Sequence, residues 1–153
     1  MAACALAQTT TTSSSVTRES SSAPIGLASS ETVQVNVVNV ATASSSGTAA
    51  FCTGTIGFVN SGGTAIGSAT SFTVTSGQTF SATLPFSKAG ASGTRTEVRA
   101  IVTVTDTTGS GAAPCQLTSS LETYDTATGV THVYLANGID GGYGNGGGAG
   151  FGH

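Results

Sequence analysis

RTEVRAIVTVT, residues 95–105, alternates polar and apolar side chains without a break. Thr96, Val98, Ala100, Val102 and Val104 share one parity, while Arg95, Glu97 and Arg99 share the other. A period of two over this length is the signature of a strand with one face on a core and one in water. The charges mark the wet face, with Glu97 between two arginines. Exposed pairs of this kind contribute roughly 0–1 kcal/mol, so they describe a solvated surface rather than a site.

The same period recurs along the chain. In ETVQVNVVNV (31–40), Val33, Val35 and Val37 share a face, and the pattern then shifts phase at Val38 and Val40. Such a slip suggests a β-bulge or a strand that changes sheets. AAFCTGTIGFV places Cys52, Ile56 and Phe58 in phase, and NSGG follows as a turn. TAIGSATSFTVT and QTFSATL are joined at Ser76-Gly77, and Pro85 closes the pair. Within CQLTSSLETYDTATGVTHVYL (115–135), Cys115, Leu117, Ser119 and Leu121 fall on one face, and DTATG makes the turn. Thr131, Val133 and Leu135 answer from the returning strand. The opposite face then gathers Glu122, Tyr124, His132 and Tyr134 as a cross-strand cluster. Phe51, Phe58, Phe72 and Phe80 are the bulky core candidates where they face inward.

No segment carries a sustained helical period. Short strands separated by Gly, Ser and Asn turns indicate an all-β protein, an antiparallel immunoglobulin-like sandwich of seven or eight strands with flexible N- and C-terminal segments. Cys52 and Cys115 are expected to pair and tie the two sheets, closing a long loop worth about 4 kcal/mol in the chain-entropy picture. There is no tryptophan to pack on that bridge.

Composition narrows the function classes. Only 7% of the 153 residues are charged, against roughly 25% in an ordinary domain. Polarity comes from Ser, Thr, Asn and Gly, so neighbouring copies repel weakly and close self-association is compatible with the surface. The basic residues are Arg18, Lys88, Arg95 and Arg99, and the formal net charge is −3. This is too little cationic charge for a phosphate-neutralising groove or an anionic lipid surface, so neither nucleic acid nor membrane is an expected partner. No apolar window is long enough to span a bilayer as a helix.

The ends read differently from the middle. Ala5-Leu6-Ala7 before Gln8 fits the small-x-small rule of signal peptidase, so residues 1–7 are expected to be the remnant of a secretory signal, and Cys4 leaves with it. Residues 8–30 form a Ser/Thr-rich linker or arm in which Val16, Ile25 and Leu27 are sparse. A flexible or O-glycosylated stalk is the plain reading; an arm pairing with a neighbouring subunit is the sharper one. The sandwich occupies 31–137. Residues 138–153 are a Gly-rich tail dotted by Tyr143 and Phe151, mobile alone or sticky against a neighbour.

Four stretches taken together, VQVNVVNV, SFTVTSGQTFSATLPF, TEVRAIVTVT and CQLTSSLETYDTATGVTHVYL, resemble a type of secreted immunoglobulin-like sandwich in environmental bacteria. The resemblance covers roughly residues 31–137. It implies a fold and no activity, and it brings no catalytic residues.

Chemistry has little to work with. There is no GxSxG elbow, His153 is terminal, and Glu122 and Asp125 share one hairpin. Calcium at TDTTGS or YDTATG would rest on Asp106 or Asp125 alone, and such an Asp more often closes its own turn. No enzyme, metal or cofactor is expected. The expected role is a secreted structural, self-associating subunit of a surface fibre or matrix, joined through its terminal segments. The alternative is an adhesion module that binds glycans or a surface protein through Glu122, Tyr124, His132 and Tyr134.

Overall fold

The computed structural model describes residues 14–42, 51–108 and 115–139. Nine strands are present among them: β1 (Ser14–Ser21), β2 (Ile25–Ala28), β3 (Glu31–Asn39), β4 (Phe51–Asn60), β5 (Ala65–Thr75), β6 (Thr79–Pro85), β7 (Arg95–Thr108), β8 (Leu117–Asp125) and β9 (Thr131–Ile139). A single 3₁₀ turn, Phe86–Lys88, follows β6. All pairings are antiparallel, in two sheets packed as a sandwich. One sheet runs β1-β7-β4-β5, with β2 also on β7; the other runs β6-β3-β8-β9. No helix among the described residues is long and apolar enough to cross a membrane.

The core lies where the alternation puts it. Val33, Val35 and Val37 from β3 and Leu117 and Leu121 from β8 meet Ile56, Phe58, Phe72, Val98, Val102 and Val104 from the facing sheet. Phe72 and Phe80 pack with ring centroids 5.9 Å apart. β4 and β7 approach closely at Gly54, where a Cβ would stand 2.1 Å from the Thr103 carbonyl oxygen. Any side chain there would have to push the ladder apart.

Cys52 at the start of β4 and Cys115 just before β8 form a buried disulfide, with Cα atoms 5.2 Å apart. It ties one sheet to the other. A bond of this kind points to an oxidising compartment.

Three expectations need correction. The first concerns the N-terminal segment: the sheet begins at Ser14, within the stretch read as a linker. β1 pairs with Ile101–Thr108 and β2 with Arg95–Val98 of the same chain. Ile25 is 6% exposed and Leu27 is fully buried, so both belong to the core and are not free for assembly. An edge strand takes its hydrogen bonds from its neighbour and needs few apolar side chains of its own, which is why a sparse segment can dock. Ser22 fixes the gap before Pro24, since its N–H donates to the Ala100 carbonyl and its Oγ accepts from the Ala100 N–H. Val16 remains half exposed.

The second correction concerns β3, where no phase slip occurs at Val38 and Val40. The parity runs on, and the inward position is taken by Asn39, which is fully buried. Its Nδ2 donates to the Val74 carbonyl at 3.2 Å and its Oδ1 accepts from the Ala41 N–H at 3.0 Å. A buried amide with such partners is tolerated where a bare one would not be.

Third, Phe51 is 56% exposed. Cys52 holds the inward position beside it, and adjacent strand residues cannot share a face. The proposed signal remnant, residues 1–7, lies outside the described residues, as do Tyr143 and Phe151.

Candidate functional site

The outer face of the β6-β3-β8-β9 sheet carries the cluster anticipated from sequence, in altered form. On β8, Leu117, Ser119, Leu121 and Thr123 are buried, so Thr118, Ser120, Glu122 and Tyr124 take the outward parity. Glu122 stands opposite Tyr134 in the β8–β9 register and opposite Gln34 in the β3–β8 register. Tyr124 is two residues along the same face.

Glu122 is held by its neighbours. Its Oε1 accepts from Gln34 Nε2 at 3.0 Å and from Asn36 Nδ2 at 3.1 Å, and its Oε2 accepts from Thr131 Oγ1 at 3.4 Å. Asn36 Oδ1 accepts in turn from Gln34 Nε2 at 2.8 Å and Ser81 Oγ at 2.6 Å, and Asn36 Nδ2 also donates to Ser120 at 3.3 Å. The result is a cross-strand platform of amides and hydroxyls around one carboxylate, spanning four strands. A connected network of this kind orders its members. Among the described residues Glu122 is the one carboxylate within this network.

His132 does not join this face. The β8–β9 register shifts between Thr123 and Tyr124, so that Thr131 pairs with Tyr124 and Val133 with Thr123. His132 is the extra residue of that bulge. Its Nδ1 lies 2.5 Å from Glu31 Oε1, and the Glu31 Oε2 accepts from the Ala28 N–H at 2.7 Å. Burial alone would raise the Glu31 carboxyl, but the Ala28 N–H and then His132 outweigh it and hold the group below its ordinary value. Ala28 belongs to one sheet and His132 to the other, so Glu31 links the two sheets at the end of the sandwich.

The turn YDTATG closes on itself. Asp125 Oδ1 accepts from Ala127 N at 3.0 Å, Thr128 N at 2.8 Å and Thr128 Oγ1 at 2.9 Å. These bonds, the Thr128 N–H first, draw the Asp125 carboxyl below its usual range. No group of three or more His, Cys, Asp or Glu side chains suited to a metal ion occurs among the described residues. Two hollows on the surface are shallow. One of about 150 Å³ lies between Pro24, Asn60 and Arg99; another of about 330 Å³ lies between Ser29, Pro85 and Thr126. The first is also lined by Glu97, which sets one carboxylate beside the Arg99 guanidinium, and the second is lined by no ionisable side chain.

A second surface went unread in the sequence. The outward positions of the other sheet form threonine rows across four strands. Thr17, Thr105, Thr53 and Thr73 are successive register partners, and Glu19, Thr103, Thr55 and Ser71 make the next row. The signal was present in the Thr-x-Thr spacing of TGT (53–55), TVT (73–75) and TVT (103–105), which puts both hydroxyls of each pair on one face.

Compared with protein-family models, curated proteins and solved structures, the chain matches none of them.

Proposed function

We propose that this protein is an extracellular structural subunit that works by associating with further copies of itself through its sheet surfaces. The observation that carries this reading is the placement of charge. From Thr32 to Ser87 the sequence has no Asp, Glu, Lys, Arg or His. That interval supplies β4, β5, β6 and all of β3 except Glu31, and β5 and β6 are the outer strands of the two sheets on one flank of the sandwich. Like-charge repulsion, which keeps soluble domains apart, is missing from that flank. The inter-sheet disulfide suits a role outside the cytosol, and it supports the secreted, immunoglobulin-like character that the sequence resemblance implies. The N-terminal strands are committed to the chain's own sheet, so association is assigned to the sandwich rather than to Ile25 and Leu27.

Sedimentation velocity and negative-stain microscopy of the oxidised full-length chain over a concentration series test this. Discrete oligomers or filaments are expected. A chain that stays monomeric at every concentration rejects the reading.

A second reading is favoured by the ordered platform at Glu122. Amides and a carboxylate held in place beside Tyr124 suit the hydrogen bonding and stacking that sugars require. On that reading the protein is an adhesion module for glycans. A glycan array comparing wild type with Glu122→Ala decides: binding lost in the variant supports it, and no binding by wild type removes it.

A further inference from the structure

We infer that β5 is the seam through which two copies join, edge to edge and antiparallel, making one continuous sheet across a two-fold axis at Phe72. This rests on the self-association reading above and specifies its surface. A strand at the edge of a sheet presents unpaired N–H and C=O groups that another strand can take up, and natural proteins block such edges with charge, proline, bulges or shortness.

Among the described strands the other edges carry such devices. The β1–β2 edge bears Arg18 and Glu19 and is broken at Pro24. β6 is seven residues long and ends at Pro85, with Lys88 just beyond. β9 is bulged at His132. β5 has eleven residues, with neither a charge nor a proline. It does carry a bulge at one end, where the four-residue step from Ile66 to Thr70 answers a two-residue step from Phe58 to Ile56 of β4, but beyond it Thr70–Thr75 is a regular run paired to Phe51–Ile56.

The hydrogen bonds at the end of this run show which groups are open. The Thr75 N–H donates to Gln78 Oε1 at 3.0 Å, and the Thr75 carbonyl accepts from the Gln78 N–H at 2.9 Å. Both Thr75 groups therefore point away from β4. Antiparallel ladders alternate residue by residue, so Ser71 and Thr73 point the same way. Thr75 is capped by Gln78, whereas Ser71 and Thr73 face outward and, among the described residues, form an open pair.

A second copy fits this edge better than an unrelated strand. A two-fold axis at Phe72 sets Ser71 of each copy opposite Thr73 of the other, which is the pairing in which both residues exchange N–H and C=O groups. Symmetric pairing places each residue near its own duplicate, so any charged edge would repel itself. The β5 edge has no charge, and neither does β6 beside it. The outer rows also run on without interruption, since Thr17–Thr105–Thr53–Thr73 meets Ser71–Thr55–Thr103–Glu19 of the second copy. Closed two-fold dimers of this type are isologous and self-limiting.

Charge introduced at the seam tests the inference. Ser71 and Thr73 are exposed, so S71K/T73K and S71E/T73E leave the core untouched. Sedimentation equilibrium of the oxidised full chain is expected to show association by wild type. Either charged variant alone should be weakened by roughly 100-fold, the scale of like-charge juxtaposition at an interface. Mixing the two variants should restore association, which also shows that both are folded. T118K, on the outer face of the other sheet, should behave as wild type. If wild type associates and the charged variants do so equally, or if the mixture fails to recover, β5 is not the seam, while self-association itself stands. A wild-type chain that remains monomeric up to about 1 mM overturns both.

Discussion

Leu27 offers a direct probe of how the N-terminal segment is held. In the structure it is fully buried, on a four-residue strand whose one sheet partner among the described residues is β7, with Thr96 opposite it. Leu27→Ala removes three carbons, the Cγ and its two methyl groups, from a site where Ile25, two residues away, is also packed. Buried Leu→Ala substitutions cost about 2–5 kcal/mol, the transfer of the lost atoms plus the cavity that remains. The site lies at the rim of the sandwich, where β2 can relax inward, so a value near 3 kcal/mol is expected. That is a large part of the roughly 5–15 kcal/mol by which domains are stable. With a urea slope of about 2 kcal/mol/M the midpoint falls by roughly 1.5 M. Val16→Ala serves as the comparison, because Val16 is 48% exposed on the neighbouring strand. Urea unfolding of the two variants under oxidising conditions gives the answer. If Leu27→Ala shifts stability no more than Val16→Ala, within about 0.5 kcal/mol of wild type, then β2 is not part of the core and the sandwich begins later.

Two further outcomes follow from the ties between the sheets. Reducing Cys52–Cys115, whose members are 63 residues apart, should lower stability by about 4 kcal/mol; unfolding curves with and without reductant measure it, and coincident curves would remove the bridge from the stability account. Glu31 has a depressed carboxyl, so its contribution is present above the ordinary Glu range and is lost as pH falls through the lower folded value. Glu31→Gln should therefore cost about 1.5 kcal/mol at neutral pH and progressively less below about pH 4. A penalty that does not change with pH would mean the carboxylate is not what links Ala28 to His132.

How much of this was legible beforehand differs by element. The inward parity of β3, β7 and β8 could be read because valines and leucines recur at a strict period of two, and the pairing of Cys52 with Cys115 agreed with that parity. β1 and β2 were hidden because apolar density is a poor guide to an edge strand, whose order comes from a neighbour distant in sequence. Asn39 disguised the end of β3, since a polar side chain in an inward position looks like a break in phase until its partners on Val74 and Ala41 are known. His132 was misassigned for a related reason: a bulge shifts parity by one, and nothing local in THVYL marks where it falls. Of the expected binding face, Glu122, Tyr124 and the backbone position of Tyr134 come together and His132 does not. The open β5 edge could not be seen from sequence at all, because strand order within a sheet depends on long-range pairing. The absence of charge along it was visible from the start.

The most direct measurement is backbone amide exchange across a concentration series of the oxidised chain. Edge pairing predicts that the Ser71 and Thr73 amides become protected as concentration rises, while the capped Thr75 amide and the β1 strand exchange at unchanged rates. Ser71 and Thr73 amides that exchange freely and identically at every concentration would contradict the account.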